Sequence, residues 1–226
     1  MTEAYRRADL RAFDLLRQAK DLIGHDYWLF FGITAVGMIL GGMAPLGILL
    51  GPMMCGIYLV FRARSRREKV GFALLWKGFD FFAQSLIATL IMMAISLVVL
   101  VPAFVLYIIA MIGVGESQNT ALFAVVVVVF TLVTLVVSIA IGAVFFFVYP
   151  LIADRGLSGT EAASLSFKAA RANAGGVLQV MLLNTVLGML GVMCCYVGVL
   201  FLLPFTMGAT WLAYRQVFPE EVGDLA

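Results

Sequence analysis

Apolar residues along the chain form long runs without charge, separated by short charged connectors. Residues 27–61 and 172–214 contain no Asp, Glu, Lys or Arg, and residues 81–153 contain only Glu116. An apolar run of about 18 residues or more is typical of a membrane-spanning helix. Backbone polar groups in lipid must bond within their own segment, which favours helices over open strands. The pattern therefore predicts an all-α, polytopic membrane helical bundle.

The lengths of these runs predict about six transmembrane helices, joined by amphipathic connector helices. A helix with one apolar and one charged face lies along the membrane interface and does not span the bilayer. All 226 residues belong to one predicted integral membrane domain. Its predicted parts are an interfacial helix at 4–24, a hairpin at 27–61, two long spans at 83–150, an interfacial helix at 158–173 and a hairpin at 177–215.

The first hairpin is interrupted near its middle. Gly41, Gly42 and Pro45 divide residues 27–61 into two pieces. Each piece has about 17 residues and reaches about 25 Å as a helix, against a hydrocarbon core of about 30 Å. The lengths favour a short transmembrane hairpin, with a re-entrant hairpin as the alternative.

The amphipathic connectors share one spacing of apolar or small residues, at positions i, i+3, i+7 and i+10. A hairpin follows each of these connectors. This recurrence predicts three repeated units of connector plus hairpin, although any amphipathic helix has the same spacing. The positions are Ala12, Leu15, Ala19 and Leu22, then Phe72, Leu75, Phe79 and Phe82, then Ala162, Leu165, Ala169 and Ala172.

The positive charges predict the orientation. If both termini are cytoplasmic, six spans place all 15 Lys and Arg residues on the cytoplasmic side, which agrees with the positive-inside rule. The expected location is the bacterial inner (cytoplasmic) membrane. A run of cations after the first hairpin is a candidate contact for anionic lipid, but we prefer topology determination as its role. This run comprises Arg62, Arg64, Arg66, Arg67 and Lys69.

Candidate chemistry is sparse within the predicted spans. The chain is 63% hydrophobic and only 12% charged, and its single histidine, His25, lies at a span boundary. Proton- and ion-moving transporters usually carry an ionisable residue inside a span, and none occurs here. We therefore expect no catalytic residues, no cofactor and no metal. Gln179 and Asn184 are the polar side chains most costly to place in hydrocarbon, and they are candidates for a polar cavity.

Sulfur-containing residues allow one further interpretation. Met53, Met54 and Cys55 lie in the second predicted span, and residues 193–195 are Met, Cys and Cys. Such ligands select Cu(I). Because methionine commonly fills gaps in apolar packing, we prefer packing as the role of these residues.

The last third of the chain contains motifs that carry a family resemblance. The motifs are Tyr149-Pro150-Leu-Ile-Ala-Asp154, Ser158-Gly-Thr-Glu-Ala-Ala-Ser-Leu-Ser166-Phe167-Lys168-Ala, Arg171-Ala-Asn173, Gly198, Pro204 and Ala213-Tyr214-Arg215-Gln216-Val-Phe218. Together with Gly51-Pro52 and Gly56, they resemble a group of poorly characterised bacterial six-helix inner-membrane proteins. The membrane domain that precedes the catalytic domain in some glycerophosphodiester phosphodiesterases is similar. The resemblance implies six helices with short amphipathic connectors, and it transfers no catalytic residue because the phosphodiesterase domain has no counterpart in this sequence.

These observations favour a non-enzymatic integral membrane protein, acting as a scaffold or accessory subunit and associated with lipid. A transporter or channel for a neutral or apolar solute is the alternative, using the region of Gln179 and Asn184. The expected partners are membrane lipids and a membrane protein or second copy bound through the third and fourth spans. The net charge of +2 is too small to indicate nucleic-acid binding.

Overall fold

The computed structural model describes residues 5–117, 119–194 and 197–219. Within these ranges the regular structure is entirely helical, which confirms the all-α prediction. The α-helices are α1 (Ala12–Ile23), α2 (Tyr27–Met43), α3 (Leu50–Ser65), α4 (Ala73–Trp76), α5 (Phe82–Ser117), α6 (Thr120–Val144), α7 (Val148–Arg155), α8 (Gly159–Ala172), α9 (Ala174–Met193) and α10 (Val197–Val217). Three 3₁₀ turns occupy Gly24–Asp26, Pro45–Gly47 and Lys77–Phe81.

The single domain predicted for residues 1–226 contains two structural units. The first unit, here called the body, comprises the described residues up to Thr89 and from Ala143 onwards. The second unit, here called the long hairpin, is Leu90–Gly142. The unit boundaries fall inside α5 and α6, so both helices contribute to both units.

Helix α3 forms the centre of the body, where it is held against α4 and the following 3₁₀ turn by glycines. A Cβ added to Gly56 would lie 2.1 Å from the Leu75 carbonyl oxygen. A Cβ added to Gly78 would lie 2.1 Å from the Pro52 carbonyl oxygen and 2.5 Å from the Gly56 nitrogen. Backbones can approach this closely only where side chains are absent. The connector between α3 and α5 is thereby fixed by direct backbone packing.

The N-terminal helix is shorter than predicted. Helix α1 begins at Ala12, whereas the sequence pattern placed its start at residue 4, which lies outside the described residues. The segment before α1 bonds elsewhere. Arg6 donates its backbone N–H to Val217 (2.9 Å), and Ala8 donates to the Asn173 side-chain oxygen (2.8 Å). These tertiary bonds replace the helical bonds that the periodicity had suggested.

The apolar face of α1 is covered by protein. Ala12, Leu15, Ala19 and Ile23 are each at most 6% exposed. A Cβ on Gly208 of α10 would lie 3.0 Å from the Ala19 Cβ, which marks the close approach of α1 and α10. If α1 lies at the membrane interface as predicted, only its other faces are available to contact the membrane.

The fourth predicted span is not one continuous helix up to Pro150. Helix α6 ends at Val144 and α7 begins at Val148. Proline in a helix interior would clash with the carbonyl of residue i−4, here Phe146, but it is tolerated in the first turn of a new helix. The buried Ser166 hydroxyl bridges the break, because it accepts from the Phe147 N–H (3.2 Å) and donates to the Val144 carbonyl (2.6 Å).

The connector after this break is helical close to the predicted bounds of 158–173, and its interfacial position stays a prediction. Helix α8 begins at a capping box in which the Ser158 and Glu161 side chains each bond the other residue's backbone N–H. Asn173 ends α8, and α9 follows at once from Ala174, a few residues before the predicted start at residue 177. Part of the predicted outer turn, residues 195 and 196, lies outside the described residues.

The long hairpin consists of two apolar helices with little internal burial. Between residues 90 and 142, no side chain described by the structure is buried. The rings of Tyr107 and Phe130 stack with centroids 4.2 Å apart and join the two helices. Helix α5 continues to Ser117, beyond the end predicted near Gly113, so the turn is shorter than expected.

Five helical segments of the described chain are long and apolar enough to cross a membrane, where about six spans were predicted. Helix α3 is not among these segments, since it has 16 residues. Both interpretations of the first hairpin, transmembrane and re-entrant, stay predictions. The five segments are Ala12–Met43, Ala73–Gly113, Thr120–Arg155, Ala174–Met193 and Val197–Val217.

Candidate functional site

A cluster of charged side chains joins the ends of α3, α7 and α10. Asp154 is the centre of the cluster, and its side chain is only 8% exposed. Its carboxylate lies 3.1 Å from the Arg62 Nε and 3.8 Å from the Arg215 Nη1. The Tyr214 hydroxyl donates to the same carboxylate at 2.7 Å. A buried carboxylate with cationic and hydroxyl partners is electrostatically compensated, so the cluster fixes three helix ends.

Neighbouring contacts strengthen this end of the body. Arg62 also donates to the Ala153 carbonyl at 3.3 Å. The Trp211 indole N–H donates to the Ser65 hydroxyl at 2.8 Å, which joins α10 to α3. The Arg155 guanidinium lies 5.3 Å from the ring centre of Phe218, a distance that allows a cation–π contact. This arrangement holds the helix ends together.

The five cations predicted to contact anionic lipid occupy different environments. Arg62 belongs to the charged cluster. Arg64 pairs with Asp26 (2.8 Å) and donates to carbonyls at the end of α1. Arg66 helps to line a cavity of about 230 Å³. Arg67 and Lys69 are exposed in the connector. Arg62 and Arg64 thus stabilise the fold, and the lipid contact of the run stays a prediction.

Gln179 and Asn184 lie on different faces of α9. Five residues correspond to about 500° of helical rotation, which leaves the two side chains about 140° apart. Gln179 is exposed, whereas Asn184 is half-buried. The Asn184 Oδ1 is enclosed, and no residue of the described chain donates a hydrogen bond to it. A shared polar cavity for both residues stays a prediction.

Sequence reasoning missed an apolar cavity of about 310 Å³ beside α1. It contains side chains from α1, α9 and α10, and Arg17 and Lys20 supply its only cations. The residues of α1 that line it recur at i, i+3, i+4 and i+7, so they share one face. This stripe of apolar and cationic residues on α1 was the sequence signal that could have indicated the cavity. The lining residues are Phe13, Leu16, Arg17, Lys20, Leu187, Leu202 and Phe205.

The histidine and the two described cysteines occupy different parts of the fold. His25 is exposed in the turn between α1 and α2. Cys55 is fully buried in α3, Cys194 is exposed, and Cys195 lies outside the described residues. Among the residues that the structure describes, no group of three or more His, Cys, Asp or Glu side chains is placed to hold a metal ion.

Comparisons with models of protein families, with curated proteins and with solved structures give no match for this chain. The resemblance to six-helix inner-membrane proteins accordingly stays a prediction. The long apolar helices define the class as an integral membrane protein.

Proposed function

We propose that this protein is a non-enzymatic membrane scaffold or accessory subunit that binds a membrane-protein partner, or a second copy of itself, through the long hairpin. The observation that carries the proposal is the difference in side-chain burial between the body and the long hairpin. The body encloses large side chains such as Trp211, Tyr214 and Phe61, each less than 2% exposed. In the long hairpin most apolar side chains are exposed, and none of those that the structure describes is buried.

The most exposed side chains of the long hairpin form continuous stripes. On α6, residues 125, 128, 129, 132 and 136 are exposed by 54–65% and recur at helical spacing. These residues are Val or Leu, so the stripe is smooth and without polar groups. Helix association in lipid depends on shape and close packing, because lipid and apolar side chains are equally hydrophobic. A smooth β-branched stripe supports association by shape with another apolar helix.

Site-specific photo-cross-linking would test the partner surface. A photoreactive residue at Val98 or Val136 of the long hairpin should give protein adducts in native membranes. The same residue at Met189, an equally exposed position of α9 in the body, should give lipid adducts only. Protein adducts at Met189 but not at the two hairpin positions would contradict the proposal.

A shape-changing variant provides a second test. Val128→Trp places a large ring on the α6 stripe and should reduce assembly in mild detergent and in nanodiscs. Met189→Trp is the matched control and should leave assembly unchanged. A wild-type protein that is monomeric and gives no protein adducts would remove the support for the scaffold.

Transport of a neutral or apolar solute is the second candidate function. The enclosed, unbonded Asn184 Oδ1 near the middle of α9 favours it, because a polar solute could supply the missing donor. Uptake into proteoliposomes that is lost in Asn184→Leu would place transport ahead of scaffolding.

The proposal includes an orientation in the bacterial inner membrane with both termini cytoplasmic. Reporter fusions after Lys69 and Gly156 should read cytoplasmic, whereas a fusion after Gly115 should read periplasmic. The supporting argument is the distribution of all 15 Lys and Arg residues. A periplasmic reading at either cytoplasmic position would contradict this orientation.

A further inference from the structure

We infer that the cavity beside α1 is a binding site for one anionic phospholipid, with an acyl chain against α9 and α10 and the phosphate near Arg17 and Lys20. The inference is independent of the proposed scaffold, since every lining residue belongs to the body.

Helix α1 presents two adjacent faces with different roles. Ala12, Leu15, Ala19 and Ile23 are buried and attach the helix to the body. The face carrying residues 13, 16, 17 and 20 lines the cavity instead. Phe13 is 77% exposed, which places a large apolar ring at the open side. The cavity is thus built on a helix whose position is fixed by packing.

The cavity lining matches the two parts of a phospholipid. Five of its seven lining residues are apolar: Phe13, Leu16, Leu187, Leu202 and Phe205. Its volume of about 310 Å³ lies within the range of ligand cavities, about 300–1,000 Å³. An apolar chain gains free energy by occupying such a surface. A free phosphate ion would not use this apolar lining.

The two cations determine the charge of the ligand. Arg17 and Lys20 are both exposed, and neither forms an ion pair with any residue in the described part of the chain. Asp14 and Asp21 are the nearby acids on α1, and they too make no such pair. Cations near a membrane surface attract anionic headgroups. The charges therefore favour an anionic phospholipid over a zwitterionic one.

Native mass spectrometry of the detergent-purified protein would test the site, with phosphatidylglycerol and phosphatidylcholine as probes. The wild-type protein should retain phosphatidylglycerol in preference. Arg17→Gln with Lys20→Gln should weaken its binding roughly thirtyfold, because each cation near anionic lipid contributes about fivefold. The matched control is Lys168→Gln with Arg171→Gln, which removes two exposed cations with the same spacing from α8. This control should bind as the wild type does.

A second pair of variants tests the apolar part without changing charge. Leu202→Trp should fill the cavity and reduce phosphatidylglycerol retention, whereas Leu190→Trp, on an exposed surface outside the cavity, should not. Equal retention by the wild type and the Arg17 and Lys20 variant would overturn the inference. Equal retention of both lipids by the wild type, or an equal loss in the α8 control, would also overturn it.

Discussion

The body and the long hairpin are equally helical but are held by different interactions. In the body, backbones meet at glycines, and buried hydroxyl and carboxylate groups have named partners. The long hairpin is joined by ring contacts such as Tyr107 with Phe130, and most of its other apolar side chains are exposed. Apolar sequence alone is therefore not sufficient to produce a packed helical unit.

The difference follows from the physics of helices in lipid. Apolar side chains lose little by facing lipid, so hydrophobicity provides little attraction between helices. Close backbone approach and satisfied polar groups provide most of that attraction. The body contains both, whereas hydroxyls of the hairpin such as Thr131 bond back to their own helix. The predictions below test this contrast, beginning with the largest expected effect.

A methyl group at Gly78, one of the two most tightly packed glycines, should strongly destabilise the body. Gly78→Ala places a Cβ 2.1 Å from the Pro52 carbonyl oxygen, and backbone atoms cannot move aside. We expect a loss of about 3 kcal/mol or more, measured by thermal unfolding in mild detergent. Gly113→Ala is the control in the long hairpin, where nothing lies within 4 Å. The control should be neutral or stabilising by up to about 1 kcal/mol. Equal effects at both positions would contradict the contrast.

Removing the central carboxylate of the charged cluster should have the next largest effect. Asp154→Asn removes the carboxylate that pairs with Arg62 and Arg215. Breaking a buried pair in this way costs about 3 kcal/mol. Asp9→Asn is the matched control, because Asp9 pairs with Arg11 at the surface, where both side chains are at least 71% exposed. Surface pairs contribute about 0–1 kcal/mol, so chemical denaturation should barely change.

A single hydroxyl should matter in the body but not in the long hairpin. Ser166→Ala leaves the Phe147 N–H and the Val144 carbonyl without their bridge at the helix break. An unsatisfied buried polar group costs about 1–3 kcal/mol. Thr131→Val removes an exposed hydroxyl that bonds only its own helix, and it should cost less than about 0.5 kcal/mol. If thermal unfolding gave equal shifts, the break would not depend on Ser166.

Local features of this fold could be predicted from the sequence. The charge-free runs give the helical class, and Ser158 with Glu161 gives the start of α8, because these signals act within a few residues. The role of Ser166 could not be predicted, since its partners lie 19 and 22 residues away. Ser166 looks like any small residue on an amphipathic helix until α6 and α7 are placed beside it.

Contacts between charged residues that are distant in the sequence could not be predicted either. The sequence places Asp154 and Arg215 at span ends but cannot show that their side chains meet. The amphipathic pattern of α1 places Arg17 on the polar face, which agrees with its exposure but does not reveal the cavity that it lines. The cavity depends on Leu187, Leu202 and Phe205, which the fold brings from a distant part of the chain. Contacts over such separations depend on how helices pack and leave no local pattern.

The smallest predicted effect concerns the response to acid, which should originate in the body. Hydrogen bonds from the Ser158 hydroxyl and the Ser158 backbone N–H lower the pKa of Glu161 below its ordinary value of 4.5. Because the folded pKa is the lower one, the stabilisation is complete above about pH 4.5 and is lost as the pH falls through the folded pKa. Glu161→Gln does not titrate, so the wild-type stability relative to this variant should fall over that range.

The long hairpin provides the control for this response. Glu116 is the only carboxylate that the sequence places between residues 90 and 142, and Gly113→Ala leaves it unchanged. The difference in unfolding temperature between the wild type and Gly113→Ala should therefore be the same at pH 3 and pH 7. A wild-type advantage over Glu161→Gln that does not change with pH would show that the carboxylate contributes nothing to the capping box.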